Sequence, residues 1–252
     1  MIRLIMHGCN GTMGQVISKL VDKDPRITIV AGIDVNLHHS NPYPVFTTIQ
    51  DCNIEADVII DFSTAAAIDS LLDYARIKKL PLVLCTTGLS AELIEKVVTV
   101  STDIPLFFSA NMSLGVNLLM SLAKRATEIL SDAHFDIEII EKHHNQKIDA
   151  PSGTALALAD AMNEALDHQY AYKYDRHLDR CKREKKEIGI HALRGGTIVG
   201  EHSIIFAGQD EIVELKHTAL SKEIFAVGAV KAALFLTGKP TGLYHMEHLM
   251  NE

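Results

Sequence analysis

One stretch of the sequence, residues 141–154, concentrates side chains that could bind and protonate an anionic substrate. It reads Glu-Lys-His-His-Asn-Gln-Lys-Ile-Asp-Ala-Pro-Ser-Gly-Thr. Pro151 disfavours helical geometry at Ala150, so we predict a loop here. Ser152 is a good N-cap for a helix that follows, and the N–H groups at such a helix end attract negative charge. Because two lysines and two histidines add positive charge beside it, the stretch predicts a pocket for carboxylates.

The same stretch holds candidates for proton transfer. In a reduction a nicotinamide cofactor supplies only the hydride, and the protein must supply the proton. Histidine titrates near neutrality and the pKa of a lysine shifts readily with its surroundings, so either residue type could act. Adjacent histidines could instead bind a metal ion, but no third ligand lies at matching spacing, and we predict no metal site. A loop that is merely charged and solvated is the other alternative.

A second motif, Gly8-Cys9-Asn10-Gly11-Thr12-Met13-Gly14, suits the phosphates of a dinucleotide. It follows a predicted strand and opens a predicted helix, whose N-terminus would present free N–H groups to a pyrophosphate. The spacing is G-x-x-G-x-x-G, with Asn10 where the usual fingerprint has a glycine, and asparagine tolerates left-handed backbone well. Asp34 lies 20 residues beyond Gly14, where an acid accepts hydrogen bonds from the adenosine ribose. A helix-capping turn with an unrelated surface aspartate is the alternative.

Asp34 also bears on the choice of cofactor. A carboxylate there repels a 2′-phosphate, and neither Arg nor Lys follows it in Val35-Asn36-Leu37. We therefore expect NADH to be favoured over NADPH, although His38 and His39 could soften that preference.

Two further loops follow predicted strands, Cys85-Thr86-Thr87-Gly88 and Ser109-Ala110-Asn111-Met112. Ligands bind at the carboxyl ends of parallel strands, so we place both loops beside the nicotinamide. On composition alone each could be an ordinary turn.

Short β-branched segments alternate with helix-length segments in the first half of the chain. We predict strands over residues 4–6, 27–33, 58–60, 82–85 and 106–108. In the first helical segment one apolar face recurs at helical spacing, formed by Met13, Val16, Ile17, Leu20 and Val21. The alternation predicts βαβ units and hence an α/β fold with a Rossmann-like, doubly wound parallel sheet.

The regular alternation of strand and helix segments ends after Asn111. We predict helices over 114–130 and 153–166, and strands over 136–141, 189–194, 197–206 and 212–218. Gly195-Gly196 predicts a hairpin between two of these strands. This part is predicted to be an inserted α+β unit with a mixed or antiparallel sheet, and a last helix over 224–236 is expected to return to the first domain. We thus predict a dinucleotide-binding domain of residues 1–112 plus 222–252, and a substrate-binding and oligomerisation domain of residues 113–221.

Composition excludes several classes of partner. The 24 Lys and Arg against 32 Asp and Glu give a net charge of -8, the wrong sign for binding a nucleic-acid backbone. No apolar run reaches about 18 residues, and no leader-like apolar segment follows Met1, so we expect no membrane partner. Four widely separated cysteines fit reduced thiols. We therefore expect a cytoplasmic protein.

Residues 138–155, Glu-Ile-Ile-Glu-Lys-His-His-Asn-Gln-Lys-Ile-Asp-Ala-Pro-Ser-Gly-Thr-Ala, resemble the signature of the 4-hydroxy-tetrahydrodipicolinate reductase family, long called dihydrodipicolinate reductases. Arg-Gly-Gly-Thr-Ile-Val-Gly-Glu-His at 194–202 and Phe-Ala-Val-Gly-Ala at 225–229 also look like family motifs, as do the glycine loop and the loops at 86–88 and 109–112. The resemblance covers essentially the whole chain.

The resemblance implies NAD(P)H-dependent reduction of (2S,4S)-4-hydroxy-2,3,4,5-tetrahydrodipicolinate, with loss of water, to (S)-2,3,4,5-tetrahydrodipicolinate in lysine biosynthesis through diaminopimelate. It implies that His143 is the catalytic histidine and Lys147 the proton-donating lysine. The carboxylates of the substrate would be held by His144, Lys147, Ser152, Gly153 and Thr154. The cofactor would be lined by Gly8, Cys9, Asn10, Gly11, Thr12, Met13, Asp34, Cys85, Thr86, Thr87, Ser109, Ala110, Asn111 and Met112. A homotetramer assembled through the sheet of the second domain is also implied.

Three positions depart from the family pattern. Lys142 stands where many members have Ala, Val227 where many have Asn, and Val35 where many NADPH-using members have Arg, which again favours NADH.

Two other functions remain open from the residues alone. Another Rossmann-fold reductase of a small carboxylate would leave the His-His-x-x-Lys loop unexplained, and a non-catalytic NAD-sensing protein would have no need of a proton donor. With cofactor and substrate on different domains, we expect domain closure to bring them together.

Overall fold

The chain divides into two compact units in the computed structural model, which describes residues 1–177 and 180–252. The first unit comprises Met1–Leu114 and Glu223–Glu252, and the second comprises Gly115–Lys222. The boundaries expected from the sequence, after residues 112 and 221, lie within two residues of these.

The helices and strands of the described residues are, in chain order, β1 (Ile2–His7), α1 (Thr12–Val21), β2 (Ile27–Ile33), β3 (Val45–Phe46), a 3-10 turn (Ile49–Asp51), β4 (Val58–Asp61), α2 (Ala65–Lys78), β5 (Leu82–Leu84), α3 (Ala91–Ser101), β6 (Pro105–Phe108), α4 (Leu114–Leu130), β7 (Asp136–His143), α5 (Gly153–Glu164), β8 (Ala171–Lys173), β9 (Glu187–Arg194), β10 (Gly200–Ala207), β11 (Ile212–Ala219), α6 (Glu223–Leu236), β12 (Gly242–Tyr244) and α7 (Met246–Met250).

Parallel strands form the sheet of the first unit, in the order β3-β2-β1-β4-β5-β6-β12. Helices α1 and α6 contribute to the apolar core that contains Leu4 and Met6, while α2 and α3 contribute to the core that contains Ile5 and Ile59. Since neighbouring residues of β1 face opposite cores, the sheet is covered on both sides, and the predicted doubly wound fold is confirmed. Sequence patterns missed β3 and β12 because two or three residues show no periodicity.

A mixed sheet forms the second unit, in the order β11-β10-β7-β9-β8. Its central strand β7 alternates between buried and half-buried residues, with Ile137 and Ile139 in a core that α4 and α5 cover through residues such as Leu119 and Leu158. The prediction of an α+β unit with a mixed or antiparallel sheet is therefore confirmed.

The predicted hairpin at Gly195-Gly196 is wrong. The strand before it, β9, pairs parallel with β7, and the strand after it, β10, pairs antiparallel with β7, so that β7 lies between them. The two glycines do turn the chain, with Gly196 at φ +48, but the turn passes over the end of β7, where the Gly195 N–H donates to His143 O. Turn residues predict a change of direction, whereas strand pairing is decided by the central strand β7, which forms hydrogen bonds with β9 along one edge and with β10 along the other.

Two further findings concern the described residues as a whole. None of the helices in the ranges 1–177 and 180–252 is long and apolar enough to cross a lipid bilayer. The four cysteines are free, with Cys9, Cys52 and Cys85 buried and Cys181 exposed.

Candidate active site

The glycine loop between β1 and α1 lies against the end of β4. Gly8 has φ +83, and a Cβ atom at this position would lie 2.5 Å from the carbonyl oxygen of Phe62. Only glycine fits so close an approach with this backbone conformation. Gly11 is the N-cap of α1, and no side chain among the described residues caps the helix. The N–H groups of the first turn are therefore available to an anion.

Asp34 ties the end of β2 to the glycine loop. Its Oδ2 accepts a hydrogen bond of 2.9 Å from the Asn10 N–H, and its Oδ1 accepts one of 2.8 Å from the Asn36 N–H. The Asn10 side chain in turn donates to the carbonyl oxygen of Asn36. Asp34 is thus held beside the loop, with further lone pairs on both carboxylate oxygens.

A cavity of about 530 Å³ opens between the glycine loop, Asp34 and the start of α2. Its lining residues are His7, Gly8, Asn10, Gly11, Ile33, Asp34, Val35, Asn36, Thr47, Thr48, Ile49, Gln50, Phe62, Ser63, Thr64, Ala67 and Ser70. The uncapped helix end, the glycine backbone and the acid at the end of β2 are what the pyrophosphate and ribose of a dinucleotide require. The residues present therefore fit such a cofactor.

The other predicted cofactor residues divide by exposure. The side chains of Cys9, Cys85 and Met112 are buried in the core, so only their backbone atoms can reach a ligand. Burial, followed by the charge of Asp34, raises the pKa of the Cys9 thiol to about 12, and burial beside Asp61 also raises the pKa of the Cys85 thiol. Both thiols are consequently protonated and unreactive near neutral pH.

The loops after β5 and β6 lie at the same carboxyl edge of the sheet as the glycine loop but do not line the cavity described above. Thr87 is exposed, and Ser109 Oγ donates a 2.8 Å hydrogen bond to the carbonyl oxygen of Asn111. Asn111 Oδ1 accepts from the Ser113 N–H at 2.9 Å. Both loops therefore lie at the edge where the nicotinamide was expected, and side-chain hydrogen bonds hold the second of them.

Sequence reasoning missed a buried network that joins three strand ends at this edge. Asp61, at the end of β4, is completely buried. Its Oδ1 lies 2.6 Å from His7 Nδ1 and its Oδ2 accepts a 2.6 Å hydrogen bond from Thr86 Oγ1. His7 directly precedes the first glycine of the loop, and Asp61 follows an apolar run, so a polar residue at each strand end was the available signal.

The centre of the second unit is a carboxylate at the end of β7. Glu141 is completely buried, and its Oε2 lies 2.6 Å from Nδ1 of His143, two residues on along the same face. Arg194 binds both carboxylate oxygens, each at 2.7 Å. The Ser152 N–H donates a further 3.0 Å hydrogen bond to Oε1. One buried carboxylate thus holds together the ends of β7 and β9 and the start of α5.

These contacts set the charge of Glu141 and the orientation of His143. Burial raises the pKa of Glu141, but hydrogen bonds from Arg194, His143 and Ser152 outweigh burial, and the pKa lies below its ordinary value. An ionised carboxylate only accepts, so His143 Nδ1 donates the hydrogen bond and Nε2 is the nitrogen left for chemistry. Gly200 leaves space there, because a Cβ atom would lie 3.1 Å from Nε2.

The loop between β7 and α5 carries the predicted lysine. The prediction of a loop over 141–154 is confirmed for residues 144–152, whereas residues 141–143 belong to β7 and residues 153–154 to α5. Lys147 Nζ forms a 2.7 Å ion pair with Asp149 Oδ1, which lowers the pKa of Asp149. Arg194 donates a 2.6 Å hydrogen bond to the carbonyl oxygen of Asp149, and the Lys147 N–H donates to the carbonyl oxygen of His144. The ammonium group is therefore held by Asp149, a residue whose backbone is bound to Arg194 of the Glu141 cluster.

Ser152 is the N-cap of α5, which confirms the prediction for this residue. Its Oγ accepts a 3.2 Å hydrogen bond from the Ala155 N–H and lies 3.0 Å from His202 Nε2. Desolvation, followed by repulsion from His143, lowers the pKa of His202 to about 4, so this imidazole is neutral near pH 7. Gly153 is exposed and Thr154 half-buried at the first turn.

The structure thus brings His143, Ser152 and the Lys147 loop together within one unit, and it adds Glu141, Arg194 and His202, to which sequence reasoning gave no role. Glu141 could have been found, because residues two apart on a strand share a face. Arg194 and His202 come from strands far along the chain, and only the register of β9 and β10 against β7 places them here. In the described residues no cluster of three potential ligands fits a metal ion.

A doubly wound parallel sheet with a glycine loop, an acid after its second strand and a second unit that bears proton-transfer groups defines a Rossmann-type dinucleotide-binding oxidoreductase. The family model described as "Dihydrodipicolinate reductase, N-terminus" matches residues 2–112, and the model described as "Dihydrodipicolinate reductase, C-terminus" matches residues 115–250. This chain therefore belongs to the dihydrodipicolinate reductase family.

Individual relatives agree over the full length. The 4-hydroxy-tetrahydrodipicolinate reductase of Caldanaerobacter subterraneus subsp. tengcongensis is 52% identical over 252 residues, which cover 100% of this chain and 99% of the relative. That of Clostridium novyi is 50% identical over 250 residues, which cover 99% and 98% of the two chains. Among solved structures, a dipicolinate-bound dihydrodipicolinate reductase from Paenisporosarcina sp. TG-14 is 25% identical, with 97% of each chain covered and a TM-score of 0.81.

Proposed function

We propose that this chain reduces (2S,4S)-4-hydroxy-2,3,4,5-tetrahydrodipicolinate with NAD(P)H to (S)-2,3,4,5-tetrahydrodipicolinate, with loss of water, in lysine biosynthesis through diaminopimelate. Relatives that carry this reductase name are 52% and 50% identical to it over the full length. The observation that carries the proposal is the Glu141-bound His143 beside Lys147 and the N-terminus of α5, which supplies proton-transfer and carboxylate-binding groups in one place.

The reaction adds one hydride and one proton to the substrate and releases one water. The dinucleotide, when bound, supplies the hydride. We assign proton donation to Lys147, whose ammonium group lies in this loop in an ion pair of 2.7 Å with Asp149. His143 presents Nε2 to the substrate while Glu141 holds Nδ1, the arrangement by which a buried carboxylate orients a catalytic imidazole.

The carboxylates of the substrate bind at the start of α5. Ser152, Gly153 and Thr154 occupy the N-cap and first turn of that helix, where N–H groups and the helix dipole favour anions. His144 and Lys147 add donors from the preceding loop. A dicarboxylate ligand is supported by the solved relative, which holds dipicolinate.

NADH is the favoured cofactor. None of the described residues that line the cavity is Lys or Arg, and Asp34 places a carboxylate where NADPH would carry its 2′-phosphate. Val35 is 87% exposed beside it, so a longer side chain at this position meets solvent rather than the core. We expect Val35→Arg to lower the KM for NADPH about tenfold, as one charge-assisted contact would, and to leave the KM for NADH within about twofold. Equal use of both cofactors by the wild type would contradict this preference.

The enzyme is a cytoplasmic homotetramer that assembles through the second sheet. Helices α4 and α5 cover one face of that sheet, and the other face carries apolar residues. Leu193 and Ile212 are 46% and 69% exposed there, and Ile140 and Ile205 are half-buried on the same face. Light scattering should report four times the chain mass of 27.7 kDa for the wild type and a smaller species for Ile205→Glu. A monomeric wild type would contradict this assembly.

The activity test follows NADH absorbance with the freshly generated product of the preceding aldol synthase as substrate. We expect His143→Gln and Lys147→Ala to lower kcat at least about 100-fold, the usual contribution of a general acid or base, while NADH still binds. His191→Gln is the matched control, since His191 also pairs with a glutamate of β7 but on the other face; because that face is the one proposed for assembly, light scattering should first show the wild-type mass for this variant. Unchanged turnover in both site variants would refute these roles. A folded wild type that binds NADH without turnover would favour the NAD-sensing alternative.

A further inference from the structure

One ionisable base lies on the wall of the dinucleotide cavity, and the reaction described above does not use it. His7 is the last residue of β1, directly before the first glycine of the loop. It is 5% exposed and lines the cavity together with Gly8, Asn10 and Ser63.

The contacts of Asp61 decide which nitrogen of His7 faces the cavity. The Asp61 carboxylate accepts hydrogen bonds from Thr86 Oγ1 at 2.6 Å and from the Ser63 N–H at 3.2 Å. Its third partner is His7 Nδ1 at 2.6 Å, and because a carboxylate only accepts, that nitrogen donates. Nε2 makes no hydrogen bond to any described residue, and His7 lines the cavity, so Nε2 is the nitrogen available to a ligand there.

The charge of the cavity is the second observation. A dinucleotide carries a doubly charged pyrophosphate, yet the described lining residues include neither Lys nor Arg and do include the carboxylate of Asp34. The partial charge at the start of α1 offsets only part of this negative charge. Of the described side chains that line the cavity, His7 alone can become a cation.

We propose that His7 binds the pyrophosphate of the cofactor as an imidazolium, so that dinucleotide binding takes up a proton from solvent. Phosphate oxygens are acceptors, and a neutral imidazole with its proton on Nδ1 would present them with a lone pair. Protonation of Nε2 turns that contact into a charge-assisted hydrogen bond, with Asp61 as the counter-charge behind the ring. The inference rests on the dinucleotide binding that forms part of the proposed function.

Besides His7, the ionisable groups near this edge are two carboxylates, two thiols and the histidines His38 and His39 of the segment that follows Asp34. The carboxylates are Asp61 on β4 and Asp34 after β2. The thiols are Cys9, whose pKa burial and Asp34 raise to about 12, and Cys85, whose pKa burial and Asp61 raise well above its ordinary value. Thr86 supplies only a hydroxyl group.

The test is isothermal titration of the full-length protein with NADH, without substrate, in buffers of different ionisation enthalpy. His7→Asn keeps a donor for Asp61 and removes the group at Nε2, whereas His7→Gln places a donor that cannot ionise near the Nε2 position. For the wild type we expect net proton uptake on binding and an affinity that falls about tenfold as the pH rises from about 6 to about 9, the size of one charge-assisted contact. His7→Asn should bind as weakly at pH 6 as the wild type does at pH 9, and neither variant should take up a proton.

Wild-type binding without proton uptake would overturn the inference and leave the proposed function untouched. Proton uptake that persists in His7→Asn would also overturn it, because another group, such as His38 or His39, would then be titrating. Failure of the folded wild type to bind NADH at any pH would overturn both proposals. Thermal unfolding of each variant checks that a loss of affinity does not reflect a loss of fold.

Discussion

The two faces of β7 carry clusters of similar composition. On one face Glu141 pairs with Arg194 and His143, and on the other Glu138 pairs with Arg183 and His191. In both clusters burial raises the pKa of the glutamate, and its arginine and histidine partners outweigh burial, so both carboxylates have pKa values below the ordinary one.

The two clusters have similar residues but different surroundings. His143 is 11% exposed, beside the start of α5 and the Lys147 loop, whereas His191 is 41% exposed. Arg183 also donates to the carbonyl oxygens of Ile137 and Glu187, so its cluster holds a chain segment against the sheet. The cluster around Glu141 thus differs from the one around Glu138 in lying beside a helix N-terminus, and for that reason we propose the proton-transfer role for the first cluster and a structural role for the second.

The largest effect that would separate the two faces is on turnover. Glu141→Gln should lower kcat about 100- to 1,000-fold, because the amide no longer holds the His143 tautomer or balances Arg194. Glu138→Gln, three residues away on the same strand, should leave kcat within about threefold. Steady-state kinetics on both folded variants makes the comparison, and equal losses would show that the two faces contribute alike.

The next largest difference should lie in the pH dependence of stability, to which His202 and His191 should contribute differently. His202 is buried with its pKa lowered from 6.5 to about 4 by desolvation and by His143, so the unfolded chain binds the proton first as the pH falls. Stability from this residue is full above about pH 6.5 and is lost between about pH 6.5 and 4, on the order of 3 kcal/mol. Denaturant unfolding of His202→Gln should show a flatter pH dependence over that window, and that of His191→Gln the wild-type slope. A wild-type slope in His202→Gln would contradict the assignment.

Glycine substitutions on the two faces of the sheet should have smaller effects, and these should differ in kind. Gly200→Ala places a methyl group 3.1 Å from His143 Nε2 and should lower kcat/KM about tenfold through displacement of the ring. Gly189→Ala meets the Glu138 carboxylate instead and should lower the Tm with kcat/KM nearly unchanged. Kinetics and thermal unfolding of both variants test this prediction. A loss of kcat/KM in Gly189→Ala with none in Gly200→Ala would contradict it.

The smallest effect concerns Arg183. Arg183→Lys cannot reproduce the planar fork that joins Asp136, Glu138 and three carbonyl oxygens, and it should cost about 1–2 kcal/mol of stability without loss of turnover. Chemical denaturation and the kinetic assay together would show this. A turnover loss like that of Glu141→Gln would show that the Glu138 cluster also contributes to catalysis.

Much of the fold followed from local patterns. The alternation of β and α segments predicted the doubly wound sheet, and the placement of Ser152 predicted the cap of α5, because helix caps and strand periods depend on neighbours in sequence. The hairpin prediction at Gly195-Gly196 was wrong because strand pairing depends on residues far apart in the sequence. Strand β7, which precedes β9 by about fifty residues, lies between β9 and β10 and pairs with both.

The candidate site divides in the same way. The sequence by itself determined the family, the dinucleotide loop, and the loop that carries His143 and Lys147, since each is a continuous run of residues. Only the tertiary structure decided that Glu141 and Arg194 orient His143, that His202 lies beside Ser152, and that Asp61 binds Nδ1 of His7. Those contacts join strand ends far apart in the chain, and their hydrogen bonds depend on strand register and burial, which no local pattern encodes.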